Sequence, residues 1–310
     1  MCQTKKFKIR QMKKIASLFA ALVLAVMYGI MPPTVSAKGY ITQTVTVTAD
    51  RAPLRIGGGE MFVMADYARK GERFETLGHY VDASGKVWLA TERGGRRLWV
   101  EKSDCAISNI LAEIPAKPFS RENPPKIYLS PSRQPYNPYV VGDTNEMEQM
   151  EALAAELAEV LRTEYGCEVS IAPSYMRIAA SGRPSDAAAK GCDIYLALHS
   201  NASPDGSQRA GAEAYYYAAS AQSRQLAESI VRELDAASDI PAKDAAGAVS
   251  AMEYFDNFGY GEVRDPSNLG LIAVLAEVDY HDNPVTARRI MQQKSEIATA
   301  LARAIGDLMA

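Results

Sequence analysis

The sequence predicts an α/β protein: a mostly parallel open sheet with helices on both faces, preceded by a small all-β barrel. Two observations predict this class. In residues 126–310, apolar runs of strand length alternate with segments of helical spacing, which is typical of a parallel sheet covered by helices. Between Gly39 and Ile107, short alternating segments are separated by turn residues, which is typical of a small barrel or sandwich.

The first 37 residues have the organisation of a secretory signal. Six basic residues precede an apolar run from Ile15 to Ile30, and Val35-Ser36-Ala37 provides the small residues of a cleavage site. A membrane anchor is the alternative, because the run is only slightly shorter than the about 20 residues of a membrane span. Pro32 and Pro33 favour cleavage. We therefore expect a secreted protein with no stable membrane anchor after residues 1–37 are removed.

Composition narrows the range of partners. The 34 Lys and Arg against 37 Asp and Glu give a formal net charge of −3, which argues against a nucleic-acid partner held through phosphates.

Cys105, Cys167 and Cys192 follow the signal, and so small an odd number of cysteines does not make a disulfide framework. We expect Cys167 and Cys192 to be buried thiols, although a bridge between them stays open because sequence does not show which strands are neighbours. Nothing indicates oligomerisation, so a monomer is expected.

The first domain is predicted to consist of short strands. Thr44 to Thr48 alternates strictly, Gly57-Gly58-Gly59 forms a turn, and Val81 to Trp88 has the pattern of a hairpin. Val45-x-Val47-x-Ala49, Leu54-Arg55, Lys70-Gly71, Val87-Trp88 and Trp99-Val100 resemble a bacterial SH3-like domain. The resemblance implies a wall-binding domain over residues 38–108. Trp88 and Trp99 are equally compatible with a place in its core.

Residues 109–125 have the composition of a linker. Pro115, Pro118, Pro124 and Pro125 stand among charged residues, and such a segment resists helix and strand while keeping some stiffness. The second domain is therefore predicted to span residues 126–310.

Strands and helices alternate in this second domain. Met147 to Leu161 has helical spacing, with N-cap candidates at Asp143 to Asn145, and a second helix is predicted from Ala219 to Ala237. Asn283-Pro284 begins a final helix. The predicted strands are Lys126–Leu129, Glu168–Ala172, Asp193–Leu198, Ala212–Tyr217 and Leu271–Glu277.

Acidic and imidazole groups fall at the ends of these elements. The chain has only three histidines, and His199 ends the central strand, where ligands bind in open α/β sheets. Glu146 begins the first helix, Glu277 ends the last core strand, and His281 follows four residues later. A carboxylate and an imidazole can hold zinc and leave a water position open. A second carboxylate can then take the proton of that water, and Glu277 suits this role because burial raises a carboxyl pKa.

Each of these residues also has a structural interpretation. Glu146 would complement the helix dipole whatever its function, His199 could be a hydrogen-bonded core histidine, and His281 could belong to an ordinary loop. Glu277 is harder to explain in this way, since carboxylates are seldom buried without a partner.

From Lys126 onward the chain resembles the zinc-dependent N-acetylmuramoyl-L-alanine amidases. The segments that carry the resemblance are Glu146, Leu198-His199-Ser200-Asn201-Ala202, Gly211 to Tyr217, and Val274 to Val278 with Asn283. The resemblance implies Zn²⁺ as cofactor and peptidoglycan as substrate, cut at the amide between N-acetylmuramic acid and L-alanine. It also implies Glu146 and His199 as metal ligands and Glu277 as the catalytic acid and base.

One segment departs from the family pattern. Family members carry Asp-Pro-Gly-His after the first strand, and that histidine is the remaining zinc ligand; here the residues are Ser130-Pro131-Ser132-Arg133-Gln134. A sub-branch with Ser-Pro-Ser-x-Gln, a following asparagine (Asn137) and Tyr-His-Asp-Asn looks closer to this chain. We expect His281 to supply the missing imidazole, because imidazole suits zinc better than amide oxygen. Gln134 is the alternative ligand, and Asn137 and Asn201 are further candidates for metal or substrate contact.

The sequence thus predicts a secreted, wall-associated amidase. A wall-binding protein whose amidase-like domain has lost its metal and its activity is the first alternative, and a hydrolase of another amide is the second. The stretch from Gly247 to Asp265 is compatible with either a substrate-contacting or a core-covering loop.

Overall fold

Two antiparallel sheets form the N-terminal part of the protein, the β-module (residues 41–111). The structure is a computed structural model that describes residues 39–310, so the predicted signal lies outside the described residues. The strands of the β-module are β1 (Ile41–Val47), β2 (Arg51–Arg55), β3 (Met64–Arg69), β4 (Arg73–Glu75), β5 (Gly78–Val81), β6 (Val87–Arg93), β7 (Arg96–Glu101) and β8 (Cys105–Leu111). A 3₁₀ turn, Lys102–Asp104, joins the last two.

The two sheets enclose a small apolar core. One has the strand order β4-β1-β8 and the other β3-β2-β7-β6-β5. The alternation that predicted β1 buries Val45 and Val47 among Leu54, Leu89 and other residues of this core. Trp88 is also buried, and its indole N–H donates to Asp82 Oδ2 at 2.9 Å, whereas Trp99 is half-buried. This β-rich region is compatible with a small β domain, and its likeness to SH3 domains stays a prediction.

The rest of the chain forms the α/β domain. Its strands are β9 (Ile127–Pro131), β10 (Val169–Ile171), β11 (Ile194–Asn201), β12 (Glu213–Tyr216), β13 (Gly247–Ser250) and β14 (Ile272–Tyr280). Its helices are α1 (Glu146–Tyr165), α2 (Arg183–Ala189), α3 (Ala221–Ala236), the single turn α4 (Tyr254–Asn257), α5 (Gly261–Asn268), α6 (Pro284–Gln292) and α7 (Lys294–Gly306), followed by the 3₁₀ turn Asp307–Met309.

The six strands form one mixed sheet in the order β10-β9-β11-β14-β12-β13. All neighbours run parallel except β12 and β14, which are antiparallel. Leu129, Leu196 and Val274 face a core with helices α1, α3 and α7, while Tyr195, Ala273 and Leu275 face a second core with α2 and α5. The predicted fold class, a mostly parallel sheet with helices on both faces, is confirmed.

Several elements differ from the sequence-based boundaries. The central strand β11 continues past His199 to Asn201, and β14 continues past Glu277 to Tyr280, because the two strands stay paired through a shift of register after His199. The predicted final helix is broken at Gln293 into α6 and α7. Part of the stretch left open as a loop forms strand β13 and helix α5.

The β-module packs against the α/β domain. Gln43 Nε2 donates to the carbonyl of Phe258 at 3.3 Å, and Asn109 Nδ2 donates to that of Asn257 at 2.7 Å. The rings of His79 and Phe258 meet edge to face at 4.5 Å between centroids. Residues Tyr40–Ala310 form a single unit by their contacts.

The predicted linker is attached to the α/β domain at several points. Strand β8 reaches into it as far as Leu111. Ile114 is buried, and Lys117 Nζ forms an ion pair of 2.7 Å with Asp193.

The loop that contains the turn α4 and meets the β-module has a left-handed backbone. Phe255, Asp256 and Asn257 have φ values of 54°, 55° and 66°, and each such residue costs roughly 1–2 kcal/mol when it is not glycine. Strained backbone of this kind persists only where surrounding contacts fix it. Here the carbonyls of Asn257 and Phe258 accept the hydrogen bonds from the β-module described above.

Two further predictions concern cysteines and membrane segments. Cys105, Cys167 and Cys192 are free, and the latter two are buried, so the expected buried thiols are confirmed and the Cys167–Cys192 bridge is not formed. Within residues 39–310, no helix has the length and apolarity that crossing a membrane requires.

We predict that the β-module and the α/β domain unfold together and that Phe258 couples them. Phe258→Ala should lower the free energy of unfolding by about 1–3 kcal/mol, because its half-buried ring packs on the β-module core. Calorimetry of the wild type should show one transition. Phe255→Ala is the control on the same loop, since Phe255 is 58% exposed. Equal effects of the two substitutions, or two separate transitions in the wild type, would contradict this.

Candidate active site

The carboxyl ends of β11 and β14 deliver the central pair of side chains. His199 and Glu277 are register partners on these neighbouring parallel strands, so their side chains lie side by side on one face of the sheet. They line a cavity of about 430 Å³ together with Gln134, Glu262, Arg133 and other residues. The position agrees with the rule that places ligands beyond the carboxyl ends of such strands.

His199 lies between two carboxylates. Its Nδ1 is 2.9 Å from Glu146 Oε1, and its Nε2 is 2.8 Å from Glu262 Oε2. Burial alone would lower the pKa of His199, but hydrogen bonds to the two carboxylates raise it well above its ordinary value. These contacts favour protonation of the ring, so a metal that binds one of its nitrogens competes with a proton for it.

Helix α1 places Glu146 beside His199. Asn145 caps the helix by accepting from the backbone N–H of Glu148 at 3.1 Å, and Glu146 follows as the first helical residue, 1% exposed. Asn137 Nδ2 donates to Glu146 Oε2 and to Gln134 Oε1, both at 2.8 Å. Burial raises the pKa of Glu146, but the contacts with His199, Asn137 and Ser132 together outweigh burial and leave the pKa below its ordinary value. Glu146 is therefore an ionised carboxylate at neutral pH.

Glu262 is the site residue that the sequence did not reveal. It lies on α5, and besides His199 it contacts Ser130, whose hydroxyl donates to Glu262 Oε1 at 2.8 Å. Burial raises the pKa of Glu262, but the hydrogen bond with His199 and the other contacts leave it below its ordinary value. From the sequence, the stretch from Gly247 to Asp265 was compatible with either a substrate-contacting or a core-covering loop. Nothing in the sequence pattern of helix α5 distinguishes Glu262 from an ordinary surface glutamate.

Glu277 is the least satisfied carboxylate of the site. It is partly buried, and its Oε2 atom is shielded from solvent without a hydrogen-bond partner among the described residues. Burial raises its pKa to about 8, and the neighbouring carboxylate Glu146 acts in the same direction. A carboxyl group that titrates near neutrality in a cavity is suited to accept and return a proton.

His281 and Asn201 point to other partners. His281 Nδ1 lies 2.7 Å from the carbonyl oxygen of Ser200, and its ring stacks on Tyr139 at 5.2 Å between centroids. Asn201 Nδ2 donates to Glu213 Oε2 at 3.2 Å. Neither residue lines the cavity that contains His199 and Glu277. That His281 binds the metal stays a prediction, which these contacts do not favour.

The donor atoms around His199 Nδ1 fit a zinc ion when Gln134 is included. Among residues 39–310, no three His, Cys, Asp or Glu side chains form a metal-binding group. Gln134 Nε2, however, is 3.3 Å from His199 Nδ1 and 3.5 Å from Glu146 Oε1, which are themselves 2.9 Å apart. Ligands of tetrahedral zinc with bonds of about 2.0–2.1 Å are about 3.3 Å apart. These three atoms form the donor triangle. A half-turn of the Gln134 amide would bring its carbonyl oxygen to the corner that Nε2 occupies, in exchange for the hydrogen bond that Gln134 Oε1 accepts from Asn137.

Comparison with known proteins identifies the family of this fold and site. A family model described as N-acetylmuramoyl-L-alanine amidase matches residues 127–307. The chain belongs to this amidase family. Its members are hydrolases of peptidoglycan, and the expectation from the sequence is confirmed at this level. Among curated proteins, none matches this chain.

The α/β domain is similar to solved structures of amidases. The N-acetylmuramoyl-L-alanine amidase of Clostridium difficile 630 has a TM-score of 0.50 at 16% identity, and the match covers 60% of this chain and 96% of that one. The amidase AmiC2 of Nostoc punctiforme has a TM-score of 0.48 at 17% identity, over 58% of this chain and 94% of that one. The similarity to the first of these structures supports the mixed α/β fold.

We predict that Gln134, and not His281, completes the metal site of the amidase domain. Gln134→Ala should weaken zinc binding at least about tenfold, which corresponds to about 1.4 kcal/mol, because it removes one corner of the donor triangle. His281→Ala should leave zinc affinity within about twofold and reduce stability by about 1–3 kcal/mol through the lost hydrogen bond. Competition with a chromophoric chelator measures both affinities. Loss of zinc only in His281→Ala would restore the assignment made from the sequence.

We also predict that Glu277→Gln stabilises the metal-free amidase, and more so at higher pH. The raised pKa means that folded Glu277 keeps its proton up to about pH 8, whereas the unfolded side chain loses it near its ordinary value of about 4.3. Stability of the wild type therefore falls as pH rises between these values, by at most about 1.4 kcal/mol per pH unit.

The variant lacks this loss because glutamine does not titrate. Urea unfolding in the presence of a chelator, from pH 5 to pH 8, measures the difference between variant and wild type. Glu156→Gln, at an exposed position of α1, is the control and should show a difference that does not grow with pH. A constant difference for Glu277→Gln would show that its carboxyl titrates normally.

Proposed function

We propose that this protein is a secreted, zinc-dependent N-acetylmuramoyl-L-alanine amidase that cleaves peptidoglycan between N-acetylmuramic acid and L-alanine. One observation carries the proposal: in a domain of the amidase family, the poorly paired Glu277 lies beside His199 at the carboxyl ends of parallel strands. Family membership supports the cell-wall substrate. The signal pattern of residues 1–37 is the basis for secretion.

Each side chain of the site has a distinct role in this proposal. Glu146 and His199, with Gln134, would hold zinc, which when bound activates water for attack and polarises the amide carbonyl. Glu277 accepts a proton from the attacking water and passes it to the leaving amine, the two transfers that a positioned acid and base performs. Asn137 orients Glu146 by donating to its Oε2 atom at 2.8 Å.

The β-module is proposed to serve the same substrate. His79, on the edge strand β5, lines the cavity that contains His199 and Glu277. A wall-binding module placed at the cavity would bring peptidoglycan directly to the site. The protein is proposed to act as a monomer associated with the cell wall, with its substrate as its partner.

We predict that Glu277→Gln lowers hydrolysis of soluble muropeptides by at least about 100-fold, the usual contribution of a positioned acid or base. Its zinc content should equal that of the wild type, because Glu277 is not one of the donors around His199 Nδ1. Chromatographic detection of released peptide and zinc analysis of the same samples provide the two measurements.

Glu228→Gln is the matched control, since this glutamate is exposed on α3 and should keep full activity. Near-normal turnover by Glu277→Gln would show that another group transfers the proton. Loss of zinc together with activity would show that Glu277 is a ligand.

A further inference from the structure

His199 has two ring nitrogens, and the structure gives them different surroundings. Nδ1 forms the donor triangle with Glu146 Oε1 and Gln134 Nε2, whereas Nε2 has Glu262 Oε2, at 2.8 Å, as its one hydrogen-bond partner among residues 39–310. A histidine that binds a metal through one nitrogen keeps its proton on the other, and the partner of that N–H decides which nitrogen is free.

Both carboxylate oxygens of Glu262 are occupied by donors. Oε2 accepts from His199, and Oε1 accepts from the hydroxyls of Ser130 at 2.8 Å and Tyr195 at 3.3 Å. Glu262 is 5% exposed. With its oxygens committed to these donors, the carboxylate is arranged to receive hydrogen bonds and not to bind an ion.

A buried arginine supports this arrangement from the other side. Arg183 Nη1 donates to Ser130 Oγ at 2.9 Å and to the carbonyl of Pro131 at 2.6 Å, and its side chain is fully buried. Ser130 thus lies between the positive Arg183 and the negative Glu262. The charge and the hydroxyl orientation together favour Glu262 as an ionised acceptor, because Ser130 has its proton available for the carboxylate.

We propose that Glu262 is a positioning residue that accepts the Nε2–H of His199 and thereby reserves Nδ1 for the metal. This inference rests on the proposed zinc-dependent function. It assigns to Glu262 the control of which tautomer His199 adopts and in which direction its ring points. Partners of this kind change metal affinity by about 10–100-fold when they are removed.

The presence of only three histidines in the chain makes a direct test feasible. The full-length protein is labelled with ¹⁵N-histidine and loaded with Zn²⁺, and His79→Ala and His281→Ala variants assign the remaining signals to His199. The wild type should show zinc on Nδ1 and a proton on Nε2. Zinc on Nε2, with a proton on Nδ1, would overturn the proposal.

Two substitutions then test the role of the carboxylate. Glu262→Leu keeps the approximate size but removes the acceptor, so zinc affinity should fall by about 10–100-fold and the Nε2–H signal of His199 should shift or broaden. Glu262→Gln keeps an acceptor oxygen and should restore most of the affinity and the wild-type signal. If Glu262→Leu does not fold, the glutamine variant alone still has to show the retained Nε2–H signal.

Asp279→Asn is the matched control for the loss of a buried carboxylate. Asp279 is 1% exposed and pairs with Arg289 at 3.1 Å, and its other hydrogen bonds come from the backbone N–H groups of Gly211 and Tyr280 and not from His199, so this variant should lose stability but keep the His199 signals and zinc affinity. Unchanged signals and affinity in Glu262→Leu would leave Glu262 with a packing role only and overturn the inference while the proposed function stands. A wild type that does not bind zinc would overturn both the inference and the zinc dependence.

Discussion

The hydrogen-bonded row Glu146–His199–Glu262 is the interaction on which the site depends. Its three members come from helix α1, strand β11 and helix α5, which pack on the sheet in different places. Each contact is shorter than 3 Å and buried. A buried charge without a partner is costly, so moving any one of the three elements away from the others would destabilise the protein. The positions of these elements in the fold and the geometry of the site therefore depend on each other.

Glu277 does not take part in this hydrogen-bonded row, and its unpaired oxygen lowers the stability of the folded protein. A shielded carboxylate oxygen without a hydrogen bond is rare in native proteins, and here it lies beside an imidazole and near three other carboxylates. The raised pKa follows from the same environment that makes the group useful for proton transfer. Functional residues of this kind commonly lower the stability of the folded protein, because activity requires an environment that is unfavourable for folding.

Much of the fold and most residues of the candidate site followed from sequence patterns. The apolar runs that became β9, β11 and β14 identified the sheet, and the positions of His199, Glu146 and Glu277 near strand and helix ends identified the candidate chemistry. These features depend on local pattern and on the general rule for open α/β sheets. The family match then agreed with the resemblance carried by the same segments.

The remaining features depend on tertiary contacts that no local pattern records. Glu262 meets His199 across 63 residues of sequence, from a short helix that contains Pro266. The direction of His281 depends on Tyr139 and Ser200, which lie far from it in the chain. The packing of the β-module on Phe258 likewise depends on a strained loop whose conformation the sequence does not indicate.

The most direct test of the whole account is the product that the purified wild-type protein releases from peptidoglycan before and after removal of its metal. Mass spectrometry should detect free stem peptides with an N-terminal alanine and muramic acid without peptide. Chelation should abolish this release, and added Zn²⁺ should restore it, because Glu277 alone does not activate water sufficiently. A folded, zinc-loaded protein that releases no such peptide, or one whose activity survives complete removal of metal, would contradict the account.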